Sequence, residues 1–220
     1  MVAASNLKQE HRDQFRIELS NAITHGIGVI LGIVFLLLLL LRKSTADAPL
    51  RIVAYAIYGG CFIFLFLAST IYHAIPIPKA RAVLRIFDHV AIYLFIAGSF
   101  TPPILLVLHG RVQRILLVVI WSIAIAGTIF KAITFRHYDQ LKLVSVLIYI
   151  GMGWLGMFLV KPLVSQRPLP LMILILIGGV LYTIGTIFYS NKSLKYHHVI
   201  WHLFVLAAAI VHFTAYYLYL

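Results

Sequence analysis

Three histidines and one aspartate have the residue types and the spacing of a metal site. His198 and His202 are four residues apart, which places two imidazoles on one face of a helix. His73 supplies a third imidazole from another segment, and Asp88 supplies a carboxylate. Three neutral imidazoles on Zn²⁺ leave a fourth position for water, and zinc lowers the pKa of that water to about 7. This set therefore predicts zinc bound by His73, His198 and His202.

Two further side chains could act on a zinc-bound water or on its substrate. The carboxylate of Asp88 can orient the water or take its proton. The hydroxyl of Ser69, one helical turn before His73, can hydrogen-bond to a ligand or to an oxyanion. We therefore predict that Asp88 and Ser69 are the catalytic residues.

A second polar set opens the first apolar segment. Glu18, Asn21 and His25 follow one another at spacings of three and four, so all three lie on one helix face. They could cap the helix and hydrogen-bond to neighbouring helices, or support the metal ligands from a second shell. Both interpretations remain open from the sequence.

The remaining histidines are predicted to have other roles. His89 and His197 point about 100° away from their neighbours on the helix, so they are less suitable ligands. His212 lies about three turns beyond the histidine pair, and we expect it to form a hydrogen bond between packed helices. Three more fall in connecting segments and are expected to be solvated: His11, His109 and His137.

The overall composition requires that these residues lie within a membrane protein. Of 220 residues, 62% are hydrophobic and 11% are charged, and the mean hydropathy is +1.00. An average soluble domain is about 25% charged, so a soluble fold could not cover this much apolar surface. The basic residues lie in ones, twos and threes between apolar segments. This distribution argues against a nucleic-acid partner and favours contact with lipid headgroups.

Seven apolar segments are long enough to cross a bilayer as helices. Their approximate bounds are 20–41, 52–74, 87–108, 115–134, 143–160, 169–189 and 199–219. A polar tail with a short surface helix, residues 1–17, precedes a single seven-helix transmembrane domain, residues 18–220. Glycines at helical spacing in four segments indicate close helix packing. The predicted fold class is therefore an all-α integral membrane protein.

Prolines and tyrosines give two local expectations. Pro102 and Pro103 fall inside the third segment and predict a kink there. Tyr216, Tyr217 and Tyr219 lie near the end of the last segment, where an interfacial aromatic belt is expected.

The basic residues divide unequally between the two sides of such a bundle. Eleven of the 18 Lys and Arg lie on the amino-terminal side and seven on the other. This bias predicts a cytoplasmic amino terminus and an external carboxyl terminus. Glu18, His73 and Asp88 then lie near the cytoplasmic leaflet, at the same depth as the histidine pair. Scattered polar residues would fall on both sides about equally, so the common depth indicates one shared site.

Five motifs, taken together and in this order, resemble those of a known family. They are Glu18–Gly26, Ser69–His73, Asp88–Pro102, Gly151–Trp154 and His198–Phe213. The chain resembles the hemolysin III family, the bacterial branch of the progestin and adipoQ receptor group, over about residues 18–213. Each motif alone has little specificity, whereas the combination is highly specific.

The resemblance has implications for fold, metal and activity. It implies seven helices with a cytoplasmic amino terminus, in the plasma (inner) membrane. It implies zinc held at His73, His198 and His202, with Asp88 contacting the ion through water and Ser69 beside it. The wider superfamily includes alkaline ceramidases, which implies hydrolysis of a lipid amide within the bilayer. Bacterial members are also associated with cytolysis.

Two classes of function therefore remain open. The first is a zinc-dependent hydrolase of a lipid amide or ester, with membrane lipids as its partners and substrates. The second is a non-enzymatic membrane protein, either a cytolysin or a receptor-like sensor of lipid state. Zinc would then be a structural link between the second and seventh helices. A channel has less support, because the polar residues lie at one end and do not line a path across the membrane.

Overall fold

The computed structural model describes residues 2–46, 48–137 and 140–220, and all regular secondary structure in these ranges is helical. The α-helices are α1 Val2–Leu40, α2 Lys43–Ala46, α3 Pro49–Ala74, α4 Pro78–Val107, α5 Gly110–Ile133, α6 Lys142–Trp154, α7 Val160–Gln166, α8 Leu169–Ser190 and α9 His197–Tyr219. Two 3₁₀ helices, Phe135–His137 and Leu155–Leu159, complete the set.

The described residues form seven helical spans that are long and apolar enough to cross a membrane. This confirms the predicted class, an all-α integral membrane protein. Six spans are α1 from Lys8 onward, α3, α4, α5, α8 and α9. The remaining span, Lys142–Gln166, is composite, because the 3₁₀ helix Leu155–Leu159 separates α6 from α7. Glycines at 151, 153 and 156 lie around this change of helix type, and glycine has a low helix propensity.

Two helices begin earlier than the apolar runs predicted. The first was expected from residue 20, but α1 begins at Val2 and continues without a break through the polar residues. The third was expected from residue 87, but α4 begins at Pro78. Proline suits the first helical position because its missing N–H needs no partner there. Both helices therefore project beyond the apolar segment at the same end of the bundle.

The packing order of the helices brings α1 into contact with both α3 and α9. Helix α3 packs mainly against α4 and α1, whereas α9 packs mainly against α8 and α1. Glycines allow the close approach of α1 and α3. A Cβ at Gly28 would lie 2.2 Å from the Phe66 ring, and one at Gly59 would lie 2.5 Å from Leu36. The close packing predicted from glycine spacing is therefore confirmed at these positions.

Other glycines border open space, so the packing explanation is wrong for them. A Cβ added at Gly60, Gly151, Gly153 or Gly179 would meet no atom of the described residues within 4 Å. Gly153 and Gly179 instead line an internal cavity.

Basic side chains bind the carboxyl ends of neighbouring helices. The Arg167 guanidinium donates to the carbonyl of Leu106, 2.8 Å away, in the last turn of α4. The Lys142 ammonium donates to the carbonyl of Tyr189, 3.0 Å away, near the end of α8. Arg42 similarly donates to the last turn of α9. Carbonyls in a last turn lack intrahelical donors, and cations there also interact favourably with the helix dipole.

Tyr216 is buried, so the expectation that it lies in an interfacial belt is wrong. Its hydroxyl donates a 2.7 Å hydrogen bond to the backbone carbonyl of Ser99 in α4. Helix α4 continues through Pro102 and Pro103 to Val107. Because Pro103 has no N–H, it cannot supply the hydrogen bond that the carbonyl four residues earlier would receive. Tyr216 supplies this missing donor from α9.

Candidate metal centre

The three histidines predicted as metal ligands lie together at one end of the bundle. One ring nitrogen from each of His73, His198 and His202 lies within 4.8 Å of the other two. The ring centroids are 5.2 Å apart for His73 and His198, and 5.0 Å apart for His73 and His202. The group could therefore hold a metal ion.

Local sequence places each of these side chains. Pro76 disfavours the helical conformation for the residue before it, and Ile75 is extended with φ −92° and ψ 118°. Helix α3 therefore ends at Ala74, and His73 lies in its last turn. His198 and His202 occupy the first two turns of α9, which begins at His197.

His73 has the properties expected of a metal ligand. His73 is 6% exposed, and its Nε2 has no hydrogen-bond partner among the described residues. Its Nδ1–H donates to Oε2 of Glu18, 2.7 Å away, so the lone pair lies on Nε2. His202 is 2% exposed. A buried nitrogen without a partner is costly, and coordination of an ion would satisfy it.

Glu18 links the metal-binding group to a basic side chain. The second carboxylate oxygen, Oε1, accepts a hydrogen bond from Arg81 in the first turns of α4. The Arg81 guanidinium also lies 4.9 Å from the centroid of the Tyr72 ring. A carboxylate on the distal nitrogen of a histidine ligand is a common feature of metal sites, where it sets the tautomer and the ring orientation.

His25 lies directly against one of the predicted ligands. Its ring stacks on that of His202, with centroids 3.6 Å apart and an interplanar angle of 19°. Asn21, between Glu18 and His25 along the same face of α1, is 2% exposed. This face of α1 therefore borders the metal-binding group. Because α1 begins at Val2, these three residues lie inside the helix and do not cap it.

The structure places the two predicted catalytic residues differently. Asp88 is 8% exposed and lines a cavity together with His198 and His202. Its Oδ2 lies 3.6 Å from Nδ1 of His89. Ser69 is completely buried in α3, and it is not among the described residues that line the cavity. The catalytic roles of Asp88 and Ser69 stay predictions.

The cavity itself was not predicted from the sequence. It has a volume of about 150 Å³ and lies between α4, α6, α8 and α9, with the histidine pair at one end. One face of α4 lines it through Asp88, Ile92, Phe95 and Ser99, at helical spacing. This periodicity is visible in the sequence, but a buried helix face that packs and one that lines a cavity have the same pattern.

The other histidines agree with the sequence analysis except at one position. Nε2 of His212 lies 3.1 Å from the carbonyl oxygen of Ile175 in α8, which confirms the predicted hydrogen bond between helices. His109 and His137 are exposed. His11 is also exposed, but it lies in α1 and not in a loop, because that helix extends through the polar residues.

An ion pair connects the two chain segments that border the site. Lys195 lies in the turn before α9, and its Nζ is 2.8 Å from Oδ2 of Asp13 in α1. The Asp13 carboxylate stabilises the ammonium form and raises the pKa of Lys195. The contact joins the beginning of α9 to the outer part of α1.

Comparisons with known proteins agree on one family. The sequence profile described as "Haemolysin-III related" matches residues 13–213. Hemolysin-3 homolog from Bacillus subtilis (strain 168) is 41% identical over 192 residues, covering 87% of this chain and 89% of the relative. Hemolysin-3 from Bacillus cereus is 42% identical over 196 residues, covering 89% and 88% respectively.

A human protein extends the similarity beyond bacteria. Monocyte to macrophage differentiation factor from Homo sapiens is 32% identical over 207 residues, covering 91% of this chain and 83% of the relative. No solved structure gives a significant match. Together with the seven spans and the histidine group, these matches show that the chain belongs to the haemolysin-III-related family.

Proposed function

We propose that this protein is a zinc-dependent membrane hydrolase that cleaves an amide or ester bond of a lipid. One observation carries the proposal. His198 and His202 of the metal-binding group, together with Asp88, line one end of a mainly apolar cavity within the membrane-spanning helices. Polar groups that converge at the end of an apolar cavity are typical of sites that bind and react with an apolar molecule.

The cavity suits an acyl chain that enters from the bilayer. Its walls include Ile92, Phe95 and Val205. Trp154 and Met157 line it from the fifth span, yet they are 43% and 56% exposed on the outside of the bundle. Leu176 lines it from α8 and is 41% exposed. Residues that border both the cavity and the outer surface support an entrance between the fifth span and α8.

The side chains at the end of this cavity have distinct roles in the proposed reaction. A bound zinc ion would supply polarisation of a carbonyl oxygen and a lowered pKa for water. The Glu18 carboxylate holds His73 with Nε2 available as a ligand. Asp88 borders the cavity, and in the proposed reaction its carboxylate would accept a proton from the attacking water. The apolar walls exclude bulk water from the scissile bond.

We also propose a location for this chemistry. The excess of basic residues on the amino-terminal side supports a cytoplasmic amino terminus. The metal-binding group lies at that end of the bundle, so it would face the cytoplasmic leaflet of the plasma membrane. Phospholipids and N-acylated lipids of that leaflet are the proposed substrate class.

Fatty-acid release by the purified zinc-loaded protein tests the hydrolase proposal. The substrates are N-acyl sphingosine and phosphatidylcholine in mixed micelles. We expect release by wild type and a loss of about 10²–10⁴-fold in Asp88→Asn, the usual contribution of a general base. Asp13→Asn removes a carboxylate outside the cavity and should retain activity. Equal release by wild type and Asp88→Asn would overturn the proposal.

A second candidate is a non-enzymatic protein in which the metal is structural. Helices α3 and α9 pack mainly against other helices, so an ion shared by His73 and the α9 pair would join two parts of the bundle. Such a protein could be a cytolysin or a sensor of lipid state. It predicts that His202→Ala lowers the unfolding temperature while Asp88→Asn leaves function intact. Absence of dye leakage from liposomes at every protein-to-lipid ratio would exclude the cytolysin.

A further inference from the structure

The cavity has a second group of polar side chains, far from the metal-binding group. Ser99, Tyr182, His212 and Tyr216 all line it. They come from three helices, α4, α8 and α9. We refer to these four residues as the deep polar cluster.

Two parallel helices place the deep polar cluster at the same distance from the metal end. On α9, His212 lies ten positions after His202, which corresponds to about 15 Å at about 1.5 Å per residue. On α4, Ser99 lies eleven positions after Asp88, which corresponds to about 16.5 Å. The cavity therefore has polar groups at two points about 15 Å apart and mainly apolar walls between them.

Two members of the deep polar cluster are occupied by hydrogen bonds to backbone. The Tyr216 hydroxyl donates to the carbonyl of Ser99, and the Ser99 hydroxyl donates to the carbonyl of Ile96, 2.8 Å away. Both bonds satisfy groups within the helices. These two side chains therefore have no free donor to offer a ligand.

The other two members each have an atom without a partner. In the part of the chain that the structure describes, neither the Tyr182 hydroxyl nor Nδ1 of His212 has a hydrogen-bond partner. His212 is 8% exposed, and its ring is held in place by the carbonyl of Ile175 and by Gly178 beneath it. The ring centroids of Tyr182 and His212 are 5.6 Å apart. An unsatisfied buried polar atom is costly, so two beside one cavity point to a group that enters between them.

We propose that the deep polar cluster is a second ligand site, which binds a hydroxyl group on the hydrocarbon chain of a lipid. Nε2–H of His212 donates to the Ile175 carbonyl, so its Nδ1 accepts the hydrogen bond from this hydroxyl, and the Tyr182 hydroxyl donates to the oxygen of the same group. The inference rests on the proposed function, because it requires an acyl chain in the cavity with its carboxyl end near the metal-binding group. It adds a preference for chains that carry an oxygen at one particular distance from that end.

The separation of the two polar points determines where this oxygen must lie. Carbon–carbon bonds of about 1.5 Å advance an extended chain by about 1.25 Å per carbon. A separation of about 15 Å therefore corresponds to about twelve carbons. An oxygen near carbon 12 would reach the deep polar cluster, whereas an oxygen near carbon 3 would not.

A displacement assay with three fatty acids tests this preference. The zinc-loaded full chain in detergent is equilibrated with the fluorescent fatty acid cis-parinaric acid. Octadecanoic, 3-hydroxyoctadecanoic and 12-hydroxyoctadecanoic acids then compete with it. One added neutral hydrogen bond should make the 12-hydroxy acid bind about threefold to tenfold more tightly than octadecanoic acid. The 3-hydroxy acid should show no such gain.

A conservative variant assigns the preference to the cluster. Tyr182→Phe removes only a hydroxyl that satisfies no other described group, so it should leave the unfolding temperature unchanged. The readout is the ratio of the affinities for 12-hydroxyoctadecanoic and octadecanoic acids within this variant. We expect this substitution to abolish the gain for the 12-hydroxy acid. Tyr55→Phe is the matched control, because Tyr55 is fully buried in α3 and is not among the described residues that line the cavity.

The outcomes separate this inference from the proposed function. Equal affinity of wild type for octadecanoic and 12-hydroxyoctadecanoic acids would overturn the further inference. It would mean that the deep polar cluster binds only water. A preference that survives Tyr182→Phe would also overturn it. If no acid displaces the probe, no acyl chain enters the cavity and both proposals fail. Normal binding without fatty-acid release from any lipid overturns the hydrolase alone.

Discussion

Nδ1 of His73 donates a 2.7 Å hydrogen bond to Oε2 of Glu18, although the two residues are 55 positions apart in the chain. The bond joins the last turn of α3 to α1. It leaves Nε2 of His73 as the atom that can coordinate an ion, and Arg81 holds the other oxygen of the same carboxylate. The metal-binding group therefore depends on a carboxylate that does not itself belong to it.

Glu18→Gln should weaken metal binding without removing a ligand. The amide keeps the size of the side chain but loses the charge that stabilises His73 and pairs with Arg81. Loss of such a supporting carboxylate typically costs 10- to 100-fold in metal affinity. Competition with a fluorescent zinc chelator measures this change. Glu10→Gln, at an exposed position of the same helix, is the control, and an equal effect of both variants would contradict the assignment.

Each of the three histidines should be required for metal binding. We expect about one zinc ion per purified wild-type chain by elemental analysis. His73→Ala, His198→Ala and His202→Ala should each fall well below this ratio. His109→Ala changes an exposed histidine away from the group and should retain the metal. Well-folded wild type with far less than one ion per chain would refute the metal centre.

Adjacent glycines on α8 should respond oppositely to alanine. A Cβ at Gly178 would lie 2.2 Å from the His212 ring, so Gly178→Ala must displace that ring. We expect it to destabilise the protein by about 1–3 kcal/mol, the usual cost of overpacking.

Gly179→Ala is the matched control for this change. Its Cβ would meet no described atom within 4 Å, and alanine is the better helix former, so this variant should be neutral or stabilising. Thermal unfolding in detergent measures both variants. Equal melting temperatures for the two would contradict the close approach of α8 and α9.

Tyr216→Phe should destabilise the bundle, because Pro103 cannot replace the hydrogen bond that Tyr216 donates to the Ser99 carbonyl. The change leaves the Ser99 carbonyl without its donor, which we expect to cost about 1 kcal/mol within a membrane protein. In a Pro103→Ala background the new backbone N–H can bond to the same carbonyl, so the cost of Tyr216→Phe should shrink. A double-mutant cycle measures this coupling, and strictly additive effects would argue against it.

The proposed orientation can be read from two engineered cysteines. The only native cysteine, Cys61, is first replaced by alanine. Ser193→Cys lies before α9 at the metal end, whereas Ser165→Cys lies near the end of α7, and both positions are exposed. In intact cells an impermeant maleimide should label position 165 and spare position 193. The reverse pattern would mean that the metal-binding group faces outward.

The number of membrane spans and their helical character could be predicted because they depend on local sequence. An apolar run of sufficient length must be helical in a bilayer to satisfy its own backbone. The first residues of α1 and α4 could not be predicted from the apolar runs. Both helices begin in polar sequence before the apolar segment, where a helix can form without being buried in the bilayer.

For the candidate site, the sequence predicted the depth of the residues in the membrane but not which side chains are in contact. Alternating helix direction brings His73 and the α9 pair to one end of the bundle. The rotation of each helix about its axis decides which side chains meet, and this rotation comes from packing. The approach of Gly28 to Phe66 brings α1 close to α3, on which His73 lies. The cavity and the deep polar cluster depend on such packing throughout.

The sequence by itself determined that this chain spans a membrane seven times and that three histidines share one end of the bundle. Those properties follow from the length and order of the apolar runs. Only the tertiary structure decided that Glu18 bonds to His73, that His25 stacks on His202, and that Asp88 borders an apolar cavity. Contacts between helices depend on side-chain fit across the whole bundle, which no single segment contains.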